Sequence, residues 1–467
     1  MTDYEAFVRG KLSSSPPTGF DPGEALDLPW LFPFQRDLAS WAVRRGRAAI
    51  FAGTGLGKMR MELAWASTVS DHASVRVLIL APLAVAKQIA TEAARVGLGD
   101  EVKVCRSQAD VSTPITVTNY DRMHLFAPSA FGAVALDESS CIKHYDSGTL
   151  RDLLAAFRET PFRLAATATP APNDWTELGT HAEFLGVCSR AEMLSEFFVH
   201  DGGDTSVWRL KRHARSAFWR WVASWGALVS HPRDLGYDMP GYDLPPLHVH
   251  EHVSRVSRDT VERAGLLFAE EAGSLMERRQ ARKASMGDRV TACAAQVALE
   301  PSEPWVIWCD LNAEDEALTD AILGAVSVRG SMTTDEKEST LEAFAAGRVR
   351  VLVSKPSICG WGLNWQHCAR MAFVGVTDSW EAYYQALKRV HRFKQDREVH
   401  AHIFASEAEG SVIANLKRKE HDAMAMAEAL AKETGEQVRA QVRGLVRETN
   451  DYAPTKALEV PLWLVTQ

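Results

Sequence analysis

"FAGTGLGKMRM" (51–61) overlaps the end of a short β-rich run, "AAIFA" (48–52), and leads into a stretch with helical spacing. A strand that enters a glycine-rich turn and leaves as a helix is the setting of a phosphate-cradling P-loop. Gly53, Gly55 and Gly57 let backbone N–H groups turn inward around phosphate oxygens. The helix N-terminus adds its partial positive charge, and Lys58 stands where an ammonium reaches the β- and γ-phosphates. "AGTGLGKM" (52–59) carries Thr54, Gly55, Gly57 and Lys58 at the fixed positions of A-x-T-G-x-G-K-[ST]. It departs at the last: Met59 replaces the Ser or Thr whose hydroxyl binds Mg²⁺.

The flanking chain repeats this strand–helix rhythm. Apolar runs at 75–81, 115–119, 132–137 and 162–168 alternate with helix-like stretches. Near-continuous apolar strands separated by helices predict a parallel sheet covered on both faces. Residues 186–300 break the rhythm with a Trp-rich stretch expected to be helical (208–230), a Pro/Gly connector (235–247) and charged helices (256–299). A second strand set follows at 305–309, 326–330, 349–354, 371–376 and 399–405. The expected units are an N-terminal extension (1–30), a first α/β domain (31–185), a helical and Pro/Gly connector (186–255), a second α/β domain (256–410) and a helical tail (411–467).

With 467 residues, 46% hydrophobic and 24% charged, the chain reads as packed and multidomain. No apolar run approaches the roughly 20 residues that span a bilayer, and the first 20 residues lack the apolar core of a secretory signal. Seven scattered cysteines without a C-x-x-C pair argue for a reducing cytoplasm and against a zinc module. The net charge of −8 does not advertise nucleic-acid binding, but the charge that matters is that of a groove. "WRLKRHARSAFWR" (208–220) is locally basic; the stripe Trp208, Trp219, Trp221 and Trp225 reads first as helix packing and second as a base-stacking surface. His248, His250 and His252 alternate on one strand face and could ligate a metal; with no carboxylate or Cys partner evident at a suitable spacing, an exposed face is the favoured reading.

Three further constellations carry chemistry. "ALDESSCIKHYDS" (135–147) sets Asp137 and Glu138 at the C-terminal end of an apolar strand, where open α/β sheets bind ligands. Such an Asp holds Mg²⁺ through water, and such a Glu orients and deprotonates an attacking water. "ATATPAPNDWTEL" (166–178) offers Thr167 and Thr169 as links between the acidic pair and a moving second domain. "YQALKRVHRFKQ" (384–395), read as a helix, places Gln385, Arg389 and Arg392 on one face, where two arginines suit charge stabilisation on a transferring phosphoryl group.

In order and spacing, the P-loop, D-E-S-S-x-I-K, A-T-P-x-x-N-x-x-E-L and Q-x-x-x-R-x-H-R-x-x-Q together resemble the superfamily 2 helicase-like ATPases. The Swi/Snf-type branch fits best, in a compact form like those of phages and prophages. "LFPFQ" (31–35) resembles the adenine-sensing segment, with Gln35 as its glutamine. "LAPLAVAKQ" (80–88) and "TNYD" (118–121) resemble motifs that touch the nucleic-acid backbone. "RGSMTTDEKESTLEAF" (329–344) and "SKPSICGWGLNW" (354–365) resemble second-domain motifs, with Gly360, Gly362, Leu363 and Asn364 matching. Lys394 stands where the family often has Gly.

The resemblance implies two RecA-like doubly wound α/β domains with ATP and Mg²⁺ between them. Lys58, Asp137, Glu138, Arg389 and Arg392 would be catalytic. Gln35, Thr54, Gly55, Gly57, Lys58, Gly362 and Gln385 would bind nucleotide, and Asp137 with Glu138 would serve the metal. It also implies DNA rather than RNA as partner, held mainly through its backbone, and an ATP-dependent helicase or translocase. The alternative is an ATP-gated DNA clamp with weak turnover because of Met59. A bacterial or phage-infected host cytoplasm is the implied setting.

Overall fold

In a computed structural model, residues 16–172, 174–201, 204–254, 285–359, 364–375 and 379–407 are described, with short stretches near 413–420 and residues 439 and 442. Gly360, Gly362, Leu363, residues 255–284 and most of the tail lie outside the described residues.

The first strands are β1 (Arg47–Ala52), β2 (Val77–Ala81), β3 (Val102–Val104), β4 (Ile115–Asn119), β5 (Ala133–Asp137) and β6 (Phe162–Thr167). They are followed by β7 (Phe198–Asp201), β8 (Asp204–Leu210) and β9 (Gly226–Val229). The first sheet runs β3-β4-β2-β5-β6-β1-β9, all parallel. Side chains alternate between two cores, as the period of two requires. Ala48, Ile50, Ala52, Ile79 and Ala135 enter one; Ala49, Phe51, Leu80, Val134 and Leu136 enter the other. The helix Lys58–Ala73 crosses from β1 to β2, so it lies over β6 and β5.

The second set is β10 (Leu247–Ser254), β11 (Trp305–Cys309), β12 (Ala325–Val328), β13 (Val351–Ser354), β14 (Arg370–Val374) and β15 (Val399–Ser406). Its order is β10-β15-β14-β11-β13-β12, again parallel. The molecule is thus an α/β protein with two parallel sheets flanked by helices, the two-domain RecA-like class expected. Among the described residues no helix is long and apolar enough to cross a membrane.

Three expectations need correction. The stretch 208–230 is not one helix. Residues 204–210 pair antiparallel with β7, a helix spans only Arg215–Ala223, and β9 pairs with β1. Trp219 and Trp225 are fully buried in ring contacts, so packing is their role, and Arg209, Arg212, Arg215 and Arg220 stay exposed beside them. Second, residues 186–255 do not form a separate connector: β9 completes the first sheet and β10 opens the edge of the second.

Third, the histidine face has partners. β15 pairs with β10 in register, matching His248 with His400 and His250 with His402. His250 Nε2 lies 3.0 Å from His400 Nδ1, His252 Nε2 lies 2.9 Å from His402 Nδ1, and His248 Nε2 lies 3.1 Å from Glu398 Oε2. A hydrogen bond between two imidazoles needs a neutral ring as acceptor, so the ladder resists protonation. Burial, then the charges of His250, His252, His400 and Arg370, lower His402 to about 3. His252 and His400 are lowered too, by burial first.

Histidines that hold protons less readily when folded than when unfolded stabilise fully above about pH 6.5 and lose that contribution as pH falls towards the folded value. The melting temperature should therefore drop between pH 7.5 and 5. His402→Phe should flatten this drop by about 1–2 kcal/mol of unfolding free energy at pH 5. Equal pH dependence in the two proteins would contradict the ladder's role.

Candidate active site

The strand order decides which motifs meet. β6 sits between β5 and β1, and the registers bring Asp137 opposite Ala166 and Phe51 opposite Thr167. The P-loop, the acidic pair and Thr167 therefore share the C-terminal edge of three adjacent parallel strands.

In the loop, Gly55 (φ 94°) and Gly57 (φ 81°) take left-handed backbone that a side chain resists. A Cβ on Gly57 would lie 2.3 Å from Gln35 Nε2. Gln35 is buried beneath the loop, where its Nε2 donates to Leu56 O at 2.8 Å and its Oε1 accepts from Phe32 N–H at 3.0 Å. As placed, it braces the glycine turn. Lys58 Nζ donates to Ala52 O at 3.0 Å, folded back over its own loop.

Asp137 ends β5, and Glu138 follows with φ 50°, a left-handed conformation for a residue with a side chain. Such strain persists where surrounding structure imposes it, and it concentrates at functional sites. Thr167 Oγ1 donates to Glu138 Oε2 at 3.4 Å. Tyr120, in the stretch expected to touch nucleic acid, instead donates its hydroxyl to Asp137 O at 2.7 Å.

Sequence reading missed Glu62, one helical turn beyond Lys58. It is 1% exposed, and among the described residues no N–H or hydroxyl donates to its carboxyl, which lies against the Asp137 carboxyl. Burial, then Asp137's charge, push its carboxyl well above the usual range. Burial, then Glu138's charge, raise Asp137 to about 7. Two facing carboxyls in so dry a place cannot both ionise, so the pair holds a proton between them.

The second sheet's segments close over this edge. The helix is shorter than the expected 384–395: it spans Trp380–Leu387 and carries Gln385, while Arg389 and Arg392 follow in turns. Tertiary pairing ends it, because Arg389 O accepts from Trp365 N–H at 3.0 Å. Arg389 is buried and donates to Gln385 O and Oε1, both at 3.0 Å. Burial lowers Arg389 to about 9 and Arg392 to about 10, and Glu138's charge acts on Arg389 in the opposite sense. Both guanidiniums remain charged at neutral pH.

The backbone at Phe393 approaches Gly55 so closely that a Cβ there would lie 3.2 Å from Phe393 N. Phe393 also stacks on Tyr242, with centroids 4.3 Å apart. Glu381 spans the boundary: it pairs with Lys143 and accepts from Thr169 Oγ1 at 3.4 Å. Thr167 thus reaches the acidic pair and Thr169 reaches the second sheet's helix. Glu381 itself gave no sequence signal beyond an acid in a helix's first turn. Asn364 is exposed at the edge of the undescribed glycine segment. A cavity at the carboxyl ends of β11, β13 and β14 is lined by Trp308, Cys309, Asp310, Pro356 and Tyr383.

Residues 301–394 match the model of the helicase conserved C-terminal domain. The chain is also similar to the SWI2/SNF2 ATPase core of Sulfolobus solfataricus, solved in complex with double-stranded DNA, at 17% identity. That match covers 89% of this chain and 97% of the other, with a TM-score of 0.41. No curated protein matches the chain.

Lys394 explains its own oddity. Its φ of 70° is left-handed, which is the backbone that favours the family's Gly. Lys394→Gly should raise the urea midpoint by about 1 kcal/mol of stability, whereas Lys394→Ala, which keeps Cβ, should not. Equal effects of the two substitutions would contradict strain at this position.

Proposed function

We propose that the chain is a nucleic-acid-stimulated ATP hydrolase of the helicase-like kind, which uses the cleft between its two sheets to move along DNA. One observation carries this reading. Glu138 at the first sheet's edge acts on the charge of the buried Arg389 from the second, and the Gly55 turn beside Lys58 lies against Arg392 and Phe393.

The residues present fit a Mg²⁺-nucleotide. The Glu62 carboxyl is buried against the Asp137 carboxyl, a pair of acids that a cation would neutralise. The glycine turn leaves no room for side chains, and its backbone N–H groups with Lys58 suit phosphates. Asp137 suits the cation, and Gln385 lines the cleft on the second side. Bound Mg²⁺-ATP would supply the phosphoanhydride bond and a cation to offset its charge.

The chain's own groups then have distinct tasks. Glu138, held by Thr167, orients a water and takes its proton at a carboxylate oxygen. Arg389 and Arg392 place positive charge where negative charge builds. The Lys143–Glu381–Thr169 contacts couple the acidic strand end to the helix Trp380–Leu387, so opening of the cleft shifts one sheet against the other. The exposed Arg209, Arg212, Arg215 and Arg220 offer phosphate contacts, which are sequence-independent and salt-sensitive. DNA is preferred to RNA through the Swi/Snf-type resemblance of the ordered motifs.

Glu138→Gln should keep nucleotide binding and lower turnover about 10²–10⁴-fold. Arg392→Ala should lower turnover by about 10³-fold or more with little loss of nucleotide affinity. Steady-state hydrolysis beside a nucleotide-binding titration separates the two quantities. Wild-type turnover in Glu138→Gln would remove Glu138 as the base.

A further inference from the structure

A P-loop lysine followed by Met59 lacks the hydroxyl oxygen that such loops present to Mg²⁺. A thioether is too soft to replace it on a hard cation. Met59 is moreover half-buried and packed onto the apolar core that holds Leu56 and Met61. The loop's own position for a metal ligand is spent on packing.

Glu62 lies three residues further along the same helix. Residues at i and i+3 share a face. Side chains on a helix lean back over the turn N-terminal to their own Cα, so Glu62 leans towards the place Met59 vacates. The helix lies across β5, whose last residue is Asp137, and the Glu62 carboxyl faces Asp137, Lys58 and Glu138. It is 1% exposed; among the described residues no N–H or hydroxyl donates to either oxygen, and its partner is a second acid, the Asp137 carboxyl. A buried carboxyl whose partner is another carboxyl costs several kcal/mol, far more than an apolar residue at that position. Its neighbours Met61, Leu63, Ala64 and Trp65 are all fully buried and apolar, so packing gives no reason for an acid here.

We propose that Glu62 replaces the missing P-loop hydroxyl: its carboxylate supplies the hard oxygen that, with Asp137, holds the divalent cation of a bound nucleotide. The ligand has moved one turn along the helix and from the side chain of a hydroxyl residue to a longer carboxylate that reaches back. The inference rests on the nucleotide-binding reading above. It also predicts that turnover does not require restoring a hydroxyl at position 59.

The test is a titration of the full chain with a fluorescent, non-hydrolysable ATP analogue, with Mg²⁺ and in EDTA. Glu62→Gln keeps the shape and fills the space. It should lose about 10-fold or more of the Mg²⁺-dependent gain in affinity and keep the affinity measured in EDTA. Met59→Thr added to Glu62→Gln should restore most of the loss. Met59→Thr alone, which leaves Glu62 in place, should change the Mg²⁺-dependent gain less than about 3-fold, well below the cost of losing a ligand-shell partner. That last arm stands even if Glu62→Gln fails to fold. A full Mg²⁺-dependent gain in Glu62→Gln would overturn the proposal. So would an equal loss with and without Mg²⁺, or a 10-fold gain from Met59→Thr alone. Failure of the wild-type chain to bind the analogue under either condition would instead overturn the nucleotide reading itself.

Discussion

Charge buried on both sides of one boundary constrains this molecule most. Glu62, Asp137 and Glu138 sit at the C-terminal edge of the first sheet, largely or wholly shielded from water. Arg389 is buried opposite them, and Arg392 beside it is half-buried. Isolated charges at such depth cost several kcal/mol each. They are tolerable when ions of the other sign arrive across the gap, from the protein or from a ligand carrying phosphates and a cation. The strained backbone at Glu138, the left-handed turn at Gly55 and Gly57, and the bracing of that turn by Gln35 all hold groups at this boundary.

The same constraint explains why the sheets are connected as they are. In a parallel sheet every strand ends on the same edge, so β1, β6 and β5 deliver the loop, Thr167 and the acidic pair side by side. The helix after the loop must cross β6 and β5 to reach β2. That crossing, and nothing local, brings Glu62 beside Asp137. Across the boundary, Glu381 collects both Lys143 and Thr169, which ties the position of the second sheet to the edge that carries the chemistry.

What was legible in the sequence was local or ordered. The glycine loop, Asp137 with Glu138 and the two α/β rhythms declare themselves within a few residues or by their sequence of appearance. The stretch of the two arginines reads as a helix over 384–395, but the helix ends at Leu387, where a backbone bond from Trp365 takes over. β9 was missed because four residues after a Trp-rich helix carry too little periodicity, and its pairing with β1 is tertiary. The histidine face lacked a carboxylate only in sequence, since Glu398 and His400 arrive from a strand far along the chain. Glu62 escaped notice because, within an amphipathic helix, an acid reads as solvent-facing until the crossing over β5 is known.

The most direct measurement is the steady-state rate of ATP hydrolysis with no nucleic acid, and with single-stranded, duplex and forked DNA and RNA, at two salt concentrations. The account predicts a low basal rate, strong stimulation by DNA with duplex at least as effective as single strands, and loss of stimulation as salt rises. A rate that no nucleic acid changes would contradict it.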